Sequence, residues 1–143
     1  MTKYAIHQII EAQDIARNLK LRGWEAFCAE DPEKLVLVCN GIGPEWMPDS
    51  CRSFLDNLHP AMQIPAMMHD YEYTVADGSE RAFRRANDNL RENGYIIASA
   101  RYGWYDPRRY MVRHDARKFA TLCQAFGRKA YTAAHAGRAT LSV

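Results

Sequence analysis

His69 and Asp70 stand side by side in Ile64-Pro65-Ala66-Met67-Met68-His69-Asp70-Tyr71-Glu72-Tyr73, an imidazole that titrates near neutrality beside a hard oxygen donor. The pair offers base chemistry and metal ligation from adjacent positions. Upstream, Leu35-Val36-Leu37-Val38 delivers the chain into Cys39-Asn40-Gly41-Ile42-Gly43-Pro44. Two glycines there accept backbone angles that other residues avoid, so successive C=O groups can be aimed at one centre. Calcium takes about six to eight oxygens at roughly 2.3–2.6 Å, and such a loop together with Asp70 supplies several. The plainer alternatives are a polar helix edge with a hydrogen-bonded core histidine, and an ordinary turn between a strand and a helix.

Two helices must position these groups. Pro65 suits a first turn and Ala66, Met67 and Met68 favour helix, so the spacing predicts a helix over 65–76, ended by Ala76-Asp77-Gly78. At about 100° per residue, Ala66, His69, Asp70 and Tyr73 share one stripe of it. A second helix is predicted over 79–93, capped by Asp77 or Ser79 and stopped by Asn93-Gly94. Its apolar stripe is Phe83, Ala86 and Leu90. Asn87 belongs to that stripe, whereas Asp88 turns toward Arg84, Arg85 and Glu92 on the solvated face.

The glycine loop, followed by His69-Asp70-Tyr71-Glu72-Tyr73 on a helix, resembles the phospholipase A2 group. The likeness is greatest to the short phospholipase A2-like proteins of phage and prophage genomes, and it covers roughly residues 39 to 94. That family pairs a Cys-Gly-x-Gly calcium loop with a His-Asp-x-x-Tyr helix and an antiparallel helix whose aspartate orients the histidine. The resemblance implies a mainly α, single-domain, phospholipase A2-like core with extra N- and C-terminal helices. It implies that His69 draws a proton from a water that attacks a phospholipid ester, with Tyr73 in the motif. Calcium held by Asp70 and the carbonyls of Gly41, Gly43 and Cys39 would stabilise the oxyanion. Asn40 is an extra residue in the loop, and Asn87 stands where aspartate is expected. Another carboxylate serves in its place, or a rotated helix brings Asp88 to His69, or the enzyme is slow or inactive.

Two further readings use the same residues. His59, His69-Asp70 and Asp88 or Asp106 can be set into the frame of a metal-dependent phosphohydrolase of the His-Asp type, although His59 lies only ten residues before His69 and leaves the glycine loop without a role. His114-Asp115 sits in an arginine-rich stretch and reads as surface or capping. The other reading is a phage structural or binding protein on a phospholipase-like scaffold, with Asn87 the trace of lost activity.

At 143 residues and 48% hydrophobic content, without repeat or linker, the chain has material for one core. Its first residues lead into an amphipathic helix carrying Ile6, Ile9, Ile10, Ala16 and Leu19 and not into a signal peptide, so the product is expected in the cytoplasm at synthesis, with packaging into a virion as a later destination. No apolar run reaches membrane-spanning length. Cys28, Cys39, Cys51 and Cys123 lack metal-knuckle spacing and read as buried thiols. Residues 41–60 look irregular before a short helix over 50–58, and Trp46 is either a lipid-facing anchor or packed beneath its own loop.

Gly94 to Trp104 reads as another helix. Asp106-Pro107 then caps one that runs through Phe119, Leu122, Cys123, Phe126 and Ala130. From Arg101 onward nine Lys/Arg face two Asp/Glu, whereas the first hundred residues hold ten against fifteen. This basic C-terminal helix suits phospholipid or another anionic surface, or is neutralised by the acidic half. No helix-turn-helix or zinc-finger pattern speaks for nucleic acid.

Overall fold

The computed structural model describes residues 4–39 and 48–136, which form eight α-helices and a short 3-10 turn with no strand among them. The glycine loop, Gly41 and Gly43 included, and Trp46 lie outside the described residues. In chain order the helices are α1 (Ile6–Leu19), α2 (Trp24–Ala29), α3 (Pro32–Val38), α4 (Asp49–Asp56), α5 (Gln63–Val75), α6 (Glu80–Arg101), α7 (Pro107–Phe126) and α8 (Arg128–Ala136), with the 3-10 turn at Pro60–Met62. One hydrophobic core draws on α1 through α7, from Ile9, Leu21 and Phe27 to Leu90, Ile97, Val112 and Phe119. No helix among the described residues is long and apolar enough to cross a membrane.

The helix starts follow their caps. Ser79 accepts the Ala82 N–H, and Asp106 accepts the Arg108 N–H with Pro107 behind it. Asp31 caps α3 in the same way, and Pro32 follows it. Leu35–Val38 is therefore the last turn of a helix, and Cys39 ends it. α1 buries Ile9, Ala12, Gln13 and Ala16, spaced at i, i+3, i+4 and i+7, while Ile6 and Ile10, expected on the inner side, are exposed. Gln13 takes the inner place because its amide donates to the carbonyls of Phe27 and Glu30, tying α2 to α1.

Asn93-Gly94 does not stop α6, and the separate helix expected after it is the continuation of α6 to Arg101. Both residues serve tertiary contacts instead. The buried Asn93 side chain accepts the Arg22 N–H at 2.7 Å and donates to the Arg22 carbonyl at 3.1 Å, clamping the turn after α1. A Cβ on Gly94 would overlap the Cβ of Ala116 and stand 2.8 Å from Met62 Sδ, so glycine lets α6 and α7 approach closely. α7 in turn ends at Phe126, not beyond it. Gly127 breaks the chain before α8, which carries Ala130, and Phe126 is 44% exposed and outside the buried stripe.

Candidate functional site

α5 and α6 are joined by a four-residue turn in which Gly78 takes φ 85°, and they lie antiparallel with His69 opposite Asn87. His69 Nε2 is 2.8 Å from Asn87 Oδ1, and the Tyr73 hydroxyl donates to the same oxygen at 2.6 Å. Asn87 Nδ2 donates to Gln124 Oε1 on α7 at 3.0 Å. An amide oxygen only accepts, so Nε2 carries the ring proton and Nδ1 keeps its lone pair. Tyr73 follows His69 by four residues and stacks beside it, with ring centroids 4.0 Å apart. Phe119 closes another side of the imidazole at 6.1 Å.

Burial sets the electrostatics. His69 is 5% exposed, and loss of water around the imidazolium lowers its pKa to about 4, with the Asn87 hydrogen bond pulling weakly the other way. At neutral pH the ring is a neutral acceptor. Burial likewise raises the Tyr73 phenol far above its ordinary value, so that hydroxyl acts as a fixed donor. Behind it stand Phe83 and Tyr131, at 5.8 and 5.1 Å between centroids. Gly127 makes room for it as well, since a Cβ there would lie 3.0 Å from the Tyr73 hydroxyl.

Asp70 is half-buried one position further round α5. Burial first and the Asp70 charge second raise the Tyr4 phenol to about 12 and hold the thiols of Cys39 and Cys123 protonated. Cys39 Sγ donates to the Met67 carbonyl at 3.4 Å, which fastens the start of the glycine loop to α5 one turn before Asp70. Of the expected calcium ligands, the described residues include the Asp70 carboxylate and Cys39, whose thiol is held protonated.

Asp88 does not approach His69. It is exposed on α6, 3.7 Å from Arg91, because it follows Asn87 by one residue and so turns about 100° away. The donors for a phosphohydrolase centre are engaged elsewhere. His59 Nδ1 accepts the Ala61 N–H as a cap, the His59 N–H donates to Asp115, and Asp106 caps α7 and pairs with Arg108. His114 is exposed. Among the described residues no group of three or more His, Cys, Asp or Glu side chains could hold a metal ion.

Phe119, expected on the apolar stripe of α7, packs against His69, whereas Gln124 is a member of the site that motif spacing did not single out. Ala116, Ala120 and Gln124 recur at four-residue intervals on α7, and two small residues followed by an amide on one stripe is the available signal. The four cysteines are free thiols, with Cys39, Cys51 and Cys123 buried and Cys28 half-buried. The chain matches no family model, and comparison with curated proteins and with solved structures gives no match.

Proposed function

We propose that the chain is a calcium-dependent ester hydrolase of the phospholipase A2-like kind. The observation that carries this reading is the convergence of His69 Nε2 and the Tyr73 hydroxyl on Asn87 Oδ1 across two antiparallel helices, with Asp70 next to His69 in sequence. With Nε2 protonated, Nδ1 is free to take a proton from water, and the water adds to the ester carbonyl. The imidazolium then returns that proton to the departing alcohol oxygen. Asp70 and the carbonyls of Cys39, Gly41 and Gly43 are the groups that would hold calcium, which supplies Lewis-acid stabilisation of the oxyanion when bound.

The activity is slow in this reading. Asn87 orients the ring but offers no negative charge to the imidazolium, and a histidine with a pKa of about 4 is a weak base at neutral pH. In serine proteases the equivalent loss of charge costs roughly ten-thousand-fold. The same observation favours a second reading, a binding protein of phage or prophage type on this scaffold with little or no turnover.

The partner proposed for either reading is an anionic lipid surface. Trp104, Tyr105, Tyr110 and Met111 are all more than half exposed around the turn between α6 and α7, with Arg101, Arg108 and Arg109 among them. Aromatic rings with a polar edge and guanidinium groups together suit the boundary between headgroups and acyl chains.

Fatty-acid release from anionic phospholipid vesicles by the full chain, with calcium or with chelator, tests the hydrolase reading. Release that needs calcium and disappears in His69→Ala and Asp70→Asn supports it. Equal release by parent and His69→Ala overturns it.

A further inference from the structure

An asparagine differs from a carboxylate in having two unlike ends, so its use beside His69 raises a question that aspartate would not. Turned one way, Oδ1 faces Nε2 and the ring proton must sit there. Turned the other way, Nδ2 faces Nε2, which must then accept, and the proton moves to Nδ1. Tyr73 does not decide between these, because a hydroxyl can donate to the oxygen or accept from the NH2. The remaining contact is Gln124, whose Oε1 takes a hydrogen from Asn87 Nδ2 at 3.0 Å. Gln124 is half-buried and lines a cleft of about 360 Å³ between α6 and α7 with Asn87, Asp88, Arg91 and Thr121. The cleft is open to solvent, so water can meet the Gln124 NH2 while its oxygen is held by Asn87.

We propose that Gln124 is a positioning residue that fixes the polarity of the Asn87 amide and through it the His69 tautomer, leaving Nδ1 unprotonated. The catalytic meaning of that tautomer rests on the hydrolase reading, but the tautomer does not. Gln124 touches neither the ring nor the reacting water; it acts through Asn87 alone. Its chemical requirement is an acceptor at this point, so glutamate satisfies it, leucine removes it and lysine inverts it.

Long-range 15N–1H correlation spectra of the full chain at neutral pH read the tautomer directly, with the His69 signals assigned by their loss in His69→Gln. The parent and Gln124→Glu should show Nε2–H. Gln124→Lys, which can only donate, should move His69 to Nδ1–H, and Gln124→Leu should populate both forms, each variant first shown to be folded by its thermal transition. In vesicle hydrolysis the Lys variant should lose about a hundredfold in kcat with KM little changed, while Glu keeps the parental value. An Nδ1–H parent, or folded Lys and Leu variants that both retain the parental tautomer, would overturn the proposal. A tautomer that follows residue 124 in a chain without hydrolysis upholds the positioning role and sinks the hydrolase reading alone.

Discussion

The hydroxyl of Tyr73 and the side-chain oxygen of Asn87 lie 2.6 Å apart, and His69 reaches that same oxygen at 2.8 Å. A single acceptor atom therefore receives two donors beside the rings of Tyr73 and Phe119. That acceptor belongs to a neutral amide, so the imidazole is oriented without a charge beside it.

Asn87→Asp should convert the dipole into a charge. Tyr73 and Nε2 already donate toward the position, so the carboxylate is met by two hydrogen bonds. The His69 pKa should rise from about 4 toward its ordinary value. Calcium-dependent hydrolysis should increase by roughly ten- to a thousandfold, and His69→Ala should abolish it in parent and variant alike. Burying a carboxylate has its own desolvation cost, so thermal melting must first show a folded variant. A folded Asp variant with no gain would remove His69 from the chemistry.

Stability should depend on pH through two groups with opposite signs, the buried His69 and the half-buried Glu72. Burial lowers His69 to about 4, so as pH falls through 6.5 the unfolded chain gains a proton that the folded chain refuses, and stability drops until about pH 4. Glu72 is raised to about 8 by burial, with Asn89 and Arg85 opposing. Above its ordinary value of 4.5 the unfolded chain ionises first, and stability drops until about pH 8. The two slopes cancel between these ordinary values. Glu72→Gln should keep the Asn89 hydrogen bond and raise stability by about 1–3 kcal/mol at pH 8. It should also leave the His69 slope visible below pH 6.5. Denaturant titrations at pH 4.5, 6.5 and 8 measure both effects, and an unchanged profile in Glu72→Gln counts against a neutral Glu72.

Gly94→Ala should force α6 and α7 apart, because the new methyl meets the Cβ of Ala116 and the Met62 sulfur. Helix propensity alone would gain about 1 kcal/mol from the change. Overpacking of this kind costs about 1–3 kcal/mol, so the net effect is destabilising. A paired Ala116→Gly should recover part of the loss. Urea unfolding of the single and double variants decides it.

Trp104→Ala with Tyr105→Ala should weaken binding to anionic vesicles at least tenfold without lowering the melting temperature by more than a degree or two, since both side chains are about three-quarters exposed. Raising salt should weaken the parent as well, through the surrounding arginines. Co-sedimentation reads both, and undiminished binding by the double variant would place the lipid-facing surface elsewhere.

Much of the site was legible in the sequence because caps and stripes are local. Ser79 and Asp106-Pro107 announced α6 and α7, and the helical stripe singled out Asn87 and set Asp88 apart from it. Gly94 is ambiguous in the sequence because a glycine that ends a helix and one that admits a neighbouring helix look alike until Ala116 is seen beside it. α2 and α3 are six and seven residues long, too short for periodicity, and their identity rests on the Asp31 cap and on Gln13 bonds spanning fourteen residues or more. Gln124 escaped notice since a polar residue on a buried stripe declares its purpose only through its partner.

Two of the three polar contacts at residue 87, from His69 and Tyr73, suit an asparagine or an aspartate alike. The Tyr73 hydroxyl donates to an amide oxygen or to a carboxylate, and only beside a carboxylate would the Gln124 amide have to turn its NH2 inward. Asparagine and aspartate codons differ in their first base alone. The charged form is therefore one transition away, in a side chain of nearly the same shape as the asparagine.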